Sequence, residues 1–442
     1  MKKIDLTEGK VISVITTLAL PIMGSSFLQF ANNLIDMIWV GKLGSGAVAS
    51  IGSASFFVGL GYSINSLVVI GTGIKVSHAV GEKDDSGIKH YINAGLIINL
   101  ILAIVYALIL ILGGKGLIGF LQLNNSIVEK DAYLYLGISG PIIFFTFFNT
   151  LYSRIQGSFG NNKTALKINS VGIIINIILD PIFIYTFNLG VSGAAIATLI
   201  ATVIMFILYK IKSRGLIEYK RNIGINYLHI KEIIKLGSPM AFQRVLFTLI
   251  NIVLARIVAV FGSDAIAAQK IGVQIESISF MVVGGLNGAV GSFTGQNFGA
   301  KKFDRIKEGY KAAMKIGIIY SGSIAIMFWI FPEALTRIFV QEQSTINIAI
   351  GYLQIIAFSM IFSAVEMVSN GLFTGMGKPK IPSIISIVFT VLRIPMALIL
   401  SRFIGLEGIW WSTAISSILK GVTSYLMYRY EERKELFNAT TI

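Results

Sequence analysis

Apolar runs of about twenty residues recur along this chain from end to end, and no other feature limits its fold so severely. LIINLILAIVYALILILGG (96–114) is one of them, and TLIATVIMFILYKI (198–211) is the second part of another. At ~1.5 Å per residue, a helix with the length of the first nearly covers a ~30 Å hydrocarbon layer. Strand spans would instead alternate apolar and polar side chains over about ten residues, and that pattern is absent. Charged residues are 13% of the 442, against roughly 25% in soluble domains. The expectation is an all-α polytopic membrane protein.

Twelve spans fit the pattern: 11–40, 47–74, 89–113, 131–157, 164–187, 190–211, 231–260, 265–297, 304–331, 346–374, 381–404 and 408–430. The opening MKKIDLTEGKVISVITTLALPIMG has no A-x-A-like cleavage site, so it is read as a retained first helix. The net charge of +15 invites a nucleic-acid reading, but its distribution opposes one. About 27 of the 37 Lys and Arg fall in the amino terminus, every second loop and the carboxyl terminus, the asymmetry of cytoplasmic segments. Both termini are therefore expected in the cytoplasm, with the chain in the inner (plasma) membrane and no nucleic-acid partner. Cysteine is absent, which excludes disulfides and thiolate metal sites.

The chain repeats itself. One constant shift lays Pro21 on Pro239, Gly44-Ser45 on Gly262-Ser263, Gly81 on Gly299 and Ile88-Lys89 on Ile306-Lys307. Near the end, GVSGAAIATLIA from Gly190 matches GLEGIWWSTAIS from Gly405 at a slightly shorter shift. Six helices is an even number, so the repeats run parallel, and substrate is expected between two pseudo-symmetric six-helix lobes. The expected domains are 1–215, a basic cytoplasmic linker at 216–230, and 231–442.

Ionisable groups within the spans cost at least ~2.5–3.5 kcal/mol each on insertion scales, so each is a candidate site. They are Asp36 and Asp180 in the first half and Arg244, Arg256, Lys270, Glu276, Glu366 and Arg393 in the second. Asp36 follows Pro21 by fifteen residues, about 22 Å along a helix, and the carbonyl that Pro21 leaves unpaired gives that helix a place to bend. Asn169, Asn176 and Asp180 are spaced by seven and four and share one helical face. Carboxylate and amide oxygens there suit Na⁺ or a proton, with Thr198 adding a hydroxyl; the alternatives are an interfacial Asp36 and plain interhelical hydrogen bonding by Asn176 and Asp180. In the second half Arg393 stands at the register position of Asn176. The four cations there are expected to pair with Glu276 and Glu366, or else to meet anionic parts of a substrate. Gly114 to Gly119 match G-x-G-x-x-G, but in an expected external loop with no preceding strand. His78, His90 and His229 read as solvated, and no catalytic arrangement can be assembled, so no enzyme and no cofactor is expected.

The whole chain resembles the multidrug and toxic compound extrusion (MATE) family of the multidrug/oligosaccharidyl-lipid/polysaccharide (MOP) flippase superfamily. The resemblance lies in IDMIWVGKLGSGAVASIG, GSFGNNKTALKINSVGIIINIILDPIF with GVSGAAIAT, and GSPMAF, DAIAAQKIGVQIESISF and TGQNFGAKK. It implies a V-shaped pair of six-helix lobes, and antiport of small organic compounds, amphipathic or cationic, against H⁺ or Na⁺ by a monomer in the bilayer. It further implies that Asp36, Asn176, Asp180 and Thr198 match the first-lobe cation site of the branch resembling the DNA-damage-inducible and archaeal transporters. Pro21 matches the bending proline and Tyr135 a nearby hydroxyl. The NorM-like branch uses acidic residues in helices seven and ten, whereas here the helix-seven position near Phe247 is apolar. A lipid-linked oligosaccharide flippase of the same superfamily is the alternative reading, and a non-transporting scaffold or receptor the second.

Overall fold

A computed structural model describes residues 5–123, 125–224 and 226–434. The described residues are helical, with no strand among them. The helices are α1 (Val11–Gly41), α2 (Ser45–Glu82), α3 (Asp85–Phe120), α4 (Ser126–Ser158), α5 (Asn162–Pro181), α6 (Gly190–Lys212), α7 (Tyr227–Ala259), α8 (Ser263–Gly299), α9 (Phe303–Ile330), α10 (Pro332–Arg337), α11 (Gln343–Ala357), α12 (Met360–Gly375), α13 (Lys380–Val391), α14 (Arg393–Ile404) and α15 (Leu406–Arg433).

Helices occupy all twelve expected positions, with two of the spans broken. α11 and α12 meet at a bend of 53°. α13 and α14 part at Leu392, where Pro395 has no N–H to bond back across the break. By length and apolarity ten helices among the described residues could cross a membrane, or eleven counting the bent pair as one. α15 falls short because Ser, Thr and Lys420 dilute its apolar content; the expected count of twelve is compatible with α15 as the last span. α5 runs through Pro181 into a π-helical turn, Ile182–Thr186, a local widening that fits the backbone bond Pro181 cannot make. The G-x-G-x-x-G stretch is the end of α3, not a loop.

The duplication is written into the backbone. Gly44 and Gly262 precede α2 and α8 with φ 103°, ψ 172° and φ 102°, ψ 175°, a conformation open to glycine alone. Lys83 and Lys301 follow the same two helices with φ 58° and 57°. Both pairs are related by the shift that lays Pro21 on Pro239.

The chain divides into two compact units. Unit 1 is built on Gly24–Ala241, and unit 2 joins Leu6–Met23 to the chain from Phe242 onward. The division falls in mid-helix, just after Pro21 in α1 and just after Pro239 in α7, at equivalent positions of the repeat. This differs from the expected boundary of 1–215 and 231–442. Ile217, 1% exposed, belongs to the unit 1 core, and Asn93 clamps Lys220 by two hydrogen bonds of 2.9 Å to its backbone, so the first part of the expected linker packs as part of unit 1. In unit 2, Leu6 and the first turns of α1 pack on Phe293 and Phe373, and Gln296 and Asn297 hold the backbone of Leu6.

Small residues let helices close where lipid offers no apolar drive. A Cβ on Gly71 would strike the backbone of Ile233, and one on Gly237 the carbonyl of Leu67. These reciprocal contacts bring α2 and the start of α7 into backbone contact within unit 1.

Candidate functional site

α1 and α5 each carry an asparagine four residues before an aspartate, Asn32 before Asp36 and Asn176 before Asp180. Four residues is just over one helical turn, so each pair shares a face. In unit 1 the two faces meet. Asn32 Nδ2 donates to Asp36 Oδ2 and to Asn176 Oδ1, both at 3.0 Å, and Asn176 Nδ2 donates to Asp180 Oδ1 at 3.1 Å. Asp180 is 2% exposed, Asn32 and Asn176 are buried, and Asp36 is half-buried. The carboxyl groups of Asp36 and Asp180 lie within electrostatic reach of each other.

The donors run out before the acceptors do. Asp36 Oδ1, Asp180 Oδ2 and Asn32 Oδ1 are buried without a hydrogen-bond partner. Two ionised carboxylates side by side in such a place repel one another and have lost their water. One positive charge, a proton shared between them or a small metal cation, removes both penalties. No donor atom among Cys or His is present, so the chemistry of the site is that of hard oxygen ligands.

Of the expected residues, the structure thus brings together Asp36, Asn176 and Asp180. Tyr135 lies within electrostatic reach of the pair, and Tyr62 within reach of Tyr135. Thr198 turns its hydroxyl to Ala194 O at 3.0 Å, on its own helix, and makes no hydrogen bond to the carboxylates. Asn169 is used elsewhere, accepting from the Tyr209 hydroxyl at 3.0 Å. Asn32 is absent from the sequence expectation, although its spacing to Asp36 duplicates that of Asn176 to Asp180. On the outer side of the pair, the Tyr185 hydroxyl donates to Trp39 O at 2.5 Å and the two rings meet edge to face.

In unit 2 the expected charges separate into two groups. Arg393 is buried, donates to Ser416 and Ser417 at 2.9 and 3.2 Å, and lies in the field of Glu276 and Glu366. Glu276 accepts from the Tyr352 hydroxyl at 2.8 Å. Among the described residues Arg244, Arg256 and Lys270 form no ion pair with either glutamate, and of the four cations expected to pair internally only Arg393 lies in the glutamates' field. The long stems of Arg256 and Lys270 let their charged heads leave the fold, which burial of Arg393 does not. Lys420, 4% exposed and 3.9 Å from Glu366, takes the place expected of them. The histidines also differ from expectation: His90 and His229 stack at 5.0 Å in unit 1, with their faces rather than their nitrogens opposed. No cluster of three or more metal-binding side chains occurs among the described residues.

A family model described as MatE matches residues 21–182 and 239–399, two stretches that start on the equivalent prolines Pro21 and Pro239. The chain is 27% identical to the "Probable multidrug resistance protein YpnP" of Bacillus subtilis, covering 99% of each chain. It is 26% identical to the "Multidrug export protein MepA" of Staphylococcus aureus, over 92% of this chain and 91% of that one. Among solved structures, a MOP superfamily transporter from Pyrococcus furiosus superposes with a TM-score of 0.92 at 22% identity, over 100% of this chain and 99% of the other.

Proposed function

The chain belongs to the MatE family, and from that premise we propose that it is a secondary antiporter, which expels small organic compounds across the plasma membrane as a cation moves inward. The observation that carries the proposal is the trio of buried, donorless oxygens on Asn32, Asp36 and Asp180. A site that is unfavourable when empty of positive charge, and set on a proline-containing helix, can tie helix shape to cation occupancy. The family relation makes the protein a multi-pass membrane protein; both termini cytoplasmic and a single functional chain are part of the proposal. The residues 1–4 and 435–442 lie outside the described structure.

Asp36 and Asp180 hold the cation, and Asn32 and Asn176 hold the carboxylates. Each asparagine fills one oxygen of its aspartate, which leaves the remaining oxygens facing a shared position. Loading that position removes the repulsion within the pair and permits α1 to bend near Pro21; release restores the repulsion and with it the other shape. The cargo leaves in the loaded-to-unloaded cycle by alternating access. The cargo is taken to be amphipathic or cationic, in line with the drug export named for the relatives. One charge crossing 100 mV supplies about 2.3 kcal/mol, enough for a roughly fiftyfold gradient of a neutral cargo.

Only two carboxyl oxygens and one amide oxygen are free, a set that suits a single shared proton better than a metal ion needing more ligands. Purified protein in liposomes loaded with a cationic dye is therefore expected to release dye when the outside is made acid, and to ignore a sodium gradient at equal pH on both sides. Release driven by sodium alone would instead assign the site to Na⁺. Dependence on a lipid-linked sugar would favour a flippase, and no movement under any gradient a scaffold or receptor. No resident cofactor and no enzymatic step enters this proposal.

Asn32→Ala tests the least expected member of the site. It removes the donor to Asp36 and to Asn176, contacts to a charged group worth about 1.5–3 kcal/mol. Proton-driven efflux should fall by about tenfold or more, with the yield of folded protein unchanged. Wild-type efflux would show that Asn32 does not support the carboxylates.

A further inference from the structure

By the repeat register, Asn32, Asp36, Asn176 and Asp180 of unit 1 fall on Ile250, Leu254, Arg393 and Ala397 of unit 2. Ile250, Leu254 and Ala397 are buried together in one apolar cluster, so this slot of unit 2 has no oxygens with which to take up a cation. Unit 2 nevertheless keeps a carboxylate inside. The side chain of Glu366 on α12 is 13% exposed, and its ion-pair partner is Lys420 Nζ on α15, itself 5% exposed.

Their proximity is imposed by the packing of α12 and α15. A Cβ on Gly421 would meet the carbonyl of Phe362, so the two backbones touch there. Lys420 adjoins Gly421, and Glu366 follows Phe362 by one turn, which sets ammonium and carboxylate on either side of the crossing. The surrounding charges balance. The fields acting on Lys420 come from Glu366 and Arg393, and those on Arg393 from Glu366, Glu276 and Tyr352. Two cations face two carboxylates, where the Asp36–Asp180 site of unit 1 has two carboxylates and only amide donors.

We propose that Lys420 is a tethered cation, permanently supplying to Glu366 the positive charge that the unit 1 carboxylates must take from solution, so that unit 2 exchanges no ion during the cycle. The contrast with unit 1 rests on the function proposed above; the pairing within unit 2 does not. Without Lys420, an uncompensated carboxylate remains inside the fold, and it must either bind a proton or admit a cation. Lys420 is in this sense a positioning residue: it fixes the charge state of Glu366 and touches no cargo.

The test is best made in an Asp36→Asn/Asp180→Asn parent, whose unit 1 carries no carboxylate pair. The thermal midpoint of the purified protein is read while sodium chloride replaces choline chloride, and again while pH is lowered through the carboxylate range. The parent should show no sodium response, and its acid response, set by the remaining paired carboxylates, is the baseline subtracted from each variant. Adding Lys420→Met should lower the midpoint at neutral pH, and sodium or acid should then restore about 3 °C or more. Acid restores because protonation of Glu366 removes the unpaired charge, so the recovered stability is present at low pH and lost as pH rises. Lys420→Arg keeps the charge and should behave as the parent, as should Glu366→Gln/Lys420→Met, which deletes both partners. Lys420→Met without a sodium or acid response, or with one that persists beside Glu366→Gln, overturns the proposal. Should Lys420→Met yield no folded protein, recovery of folded protein in the Glu366→Gln pair supports it, and failure of both overturns it. A sodium response in the parent that Glu366→Gln removes would show that unit 2 takes up an ion with Lys420 in place, and would overturn the proposal.

Discussion

Asp180→Asn and Asp36→Asn are each expected to abolish proton-driven efflux, by about a hundredfold or more, while folded protein accumulates in the membrane at wild-type levels. Asparagine preserves the shape of aspartate and can still accept from Asn176 or Asn32, so the helical contacts at 3.0 and 3.1 Å survive. What is lost is one of two like charges. A single buried carboxylate beside two amides no longer requires a cation to relieve repulsion, and the free-energy difference between loaded and unloaded site shrinks. Driving a two-state equilibrium nearly completely from one side to the other takes about 5.5 kcal/mol, so even partial loss of that difference uncouples the shape of the lobe from the ion. The measurement is dye release from proteoliposomes under an imposed pH step, beside equilibrium exchange of labelled cargo in the absence of a gradient. Exchange should survive better than driven release. Normal driven release from both variants would remove the carboxylate pair from the mechanism altogether. Because the site is oxygen-rich and lacks sulfur and imidazole, chelators of soft metals should leave transport unaffected.

Gly237→Val is expected to prevent unit 1 from folding. The added Cβ would fall on the carbonyl of Leu67, a backbone atom that no rotamer change can move aside, and the reciprocal contact of Gly71 with Ile233 leaves the helices no room to slide. Overpacking a core commonly costs about 1–3 kcal/mol when side chains can yield, and more is expected where backbone must part from backbone. Separating α2 from α7 would also disturb the Lys75–Glu232 ion pair of 2.9 Å and the 2.6 Å bond from the Tyr91 hydroxyl to Glu232. The yield of monodisperse protein on size exclusion should fall to near zero. Gly52→Ala on α2, where nothing lies within 4 Å of the new Cβ, is the matched control and should express normally. Equal yields from the two variants would show that the close α2–α7 crossing is not needed for the fold.

Much of the site is readable in the sequence because its chemistry is conspicuous against lipid. Asp36 and Asp180 are carboxylates inside apolar runs, and the four-residue step from Asn176 to Asp180 places them on one face whatever the neighbouring helices do. Asn32 has the same step to Asp36, yet its second bond, to Asn176, depends on α1 lying against α5, and no periodicity within either helix reports that. Thr198 shows the reverse: a hydroxyl at a plausible position is spent on the carbonyl of Ala194 in its own helix, a local choice that composition does not reveal. Arg256 and Lys270 look costly because they lie within spans, but a long side chain can carry its charge out of the fold. Lys420 draws no notice for the converse reason, since a lysine among serines and threonines reads as a polar helix end until α12 is set beside it.

The sequence by itself determined the solvent, the helices and the duplication, because apolar run length, loop charge and a recurrence at constant shift act locally or survive as pattern. Tertiary structure alone decided where each unit begins and which charges are paired. α1 and α7 each continue through a proline from one unit into the other, so the chain's longest polar connection is not the division between them. Pairing, likewise, depends on which helix faces meet, and a single helix carries no record of what lies opposite.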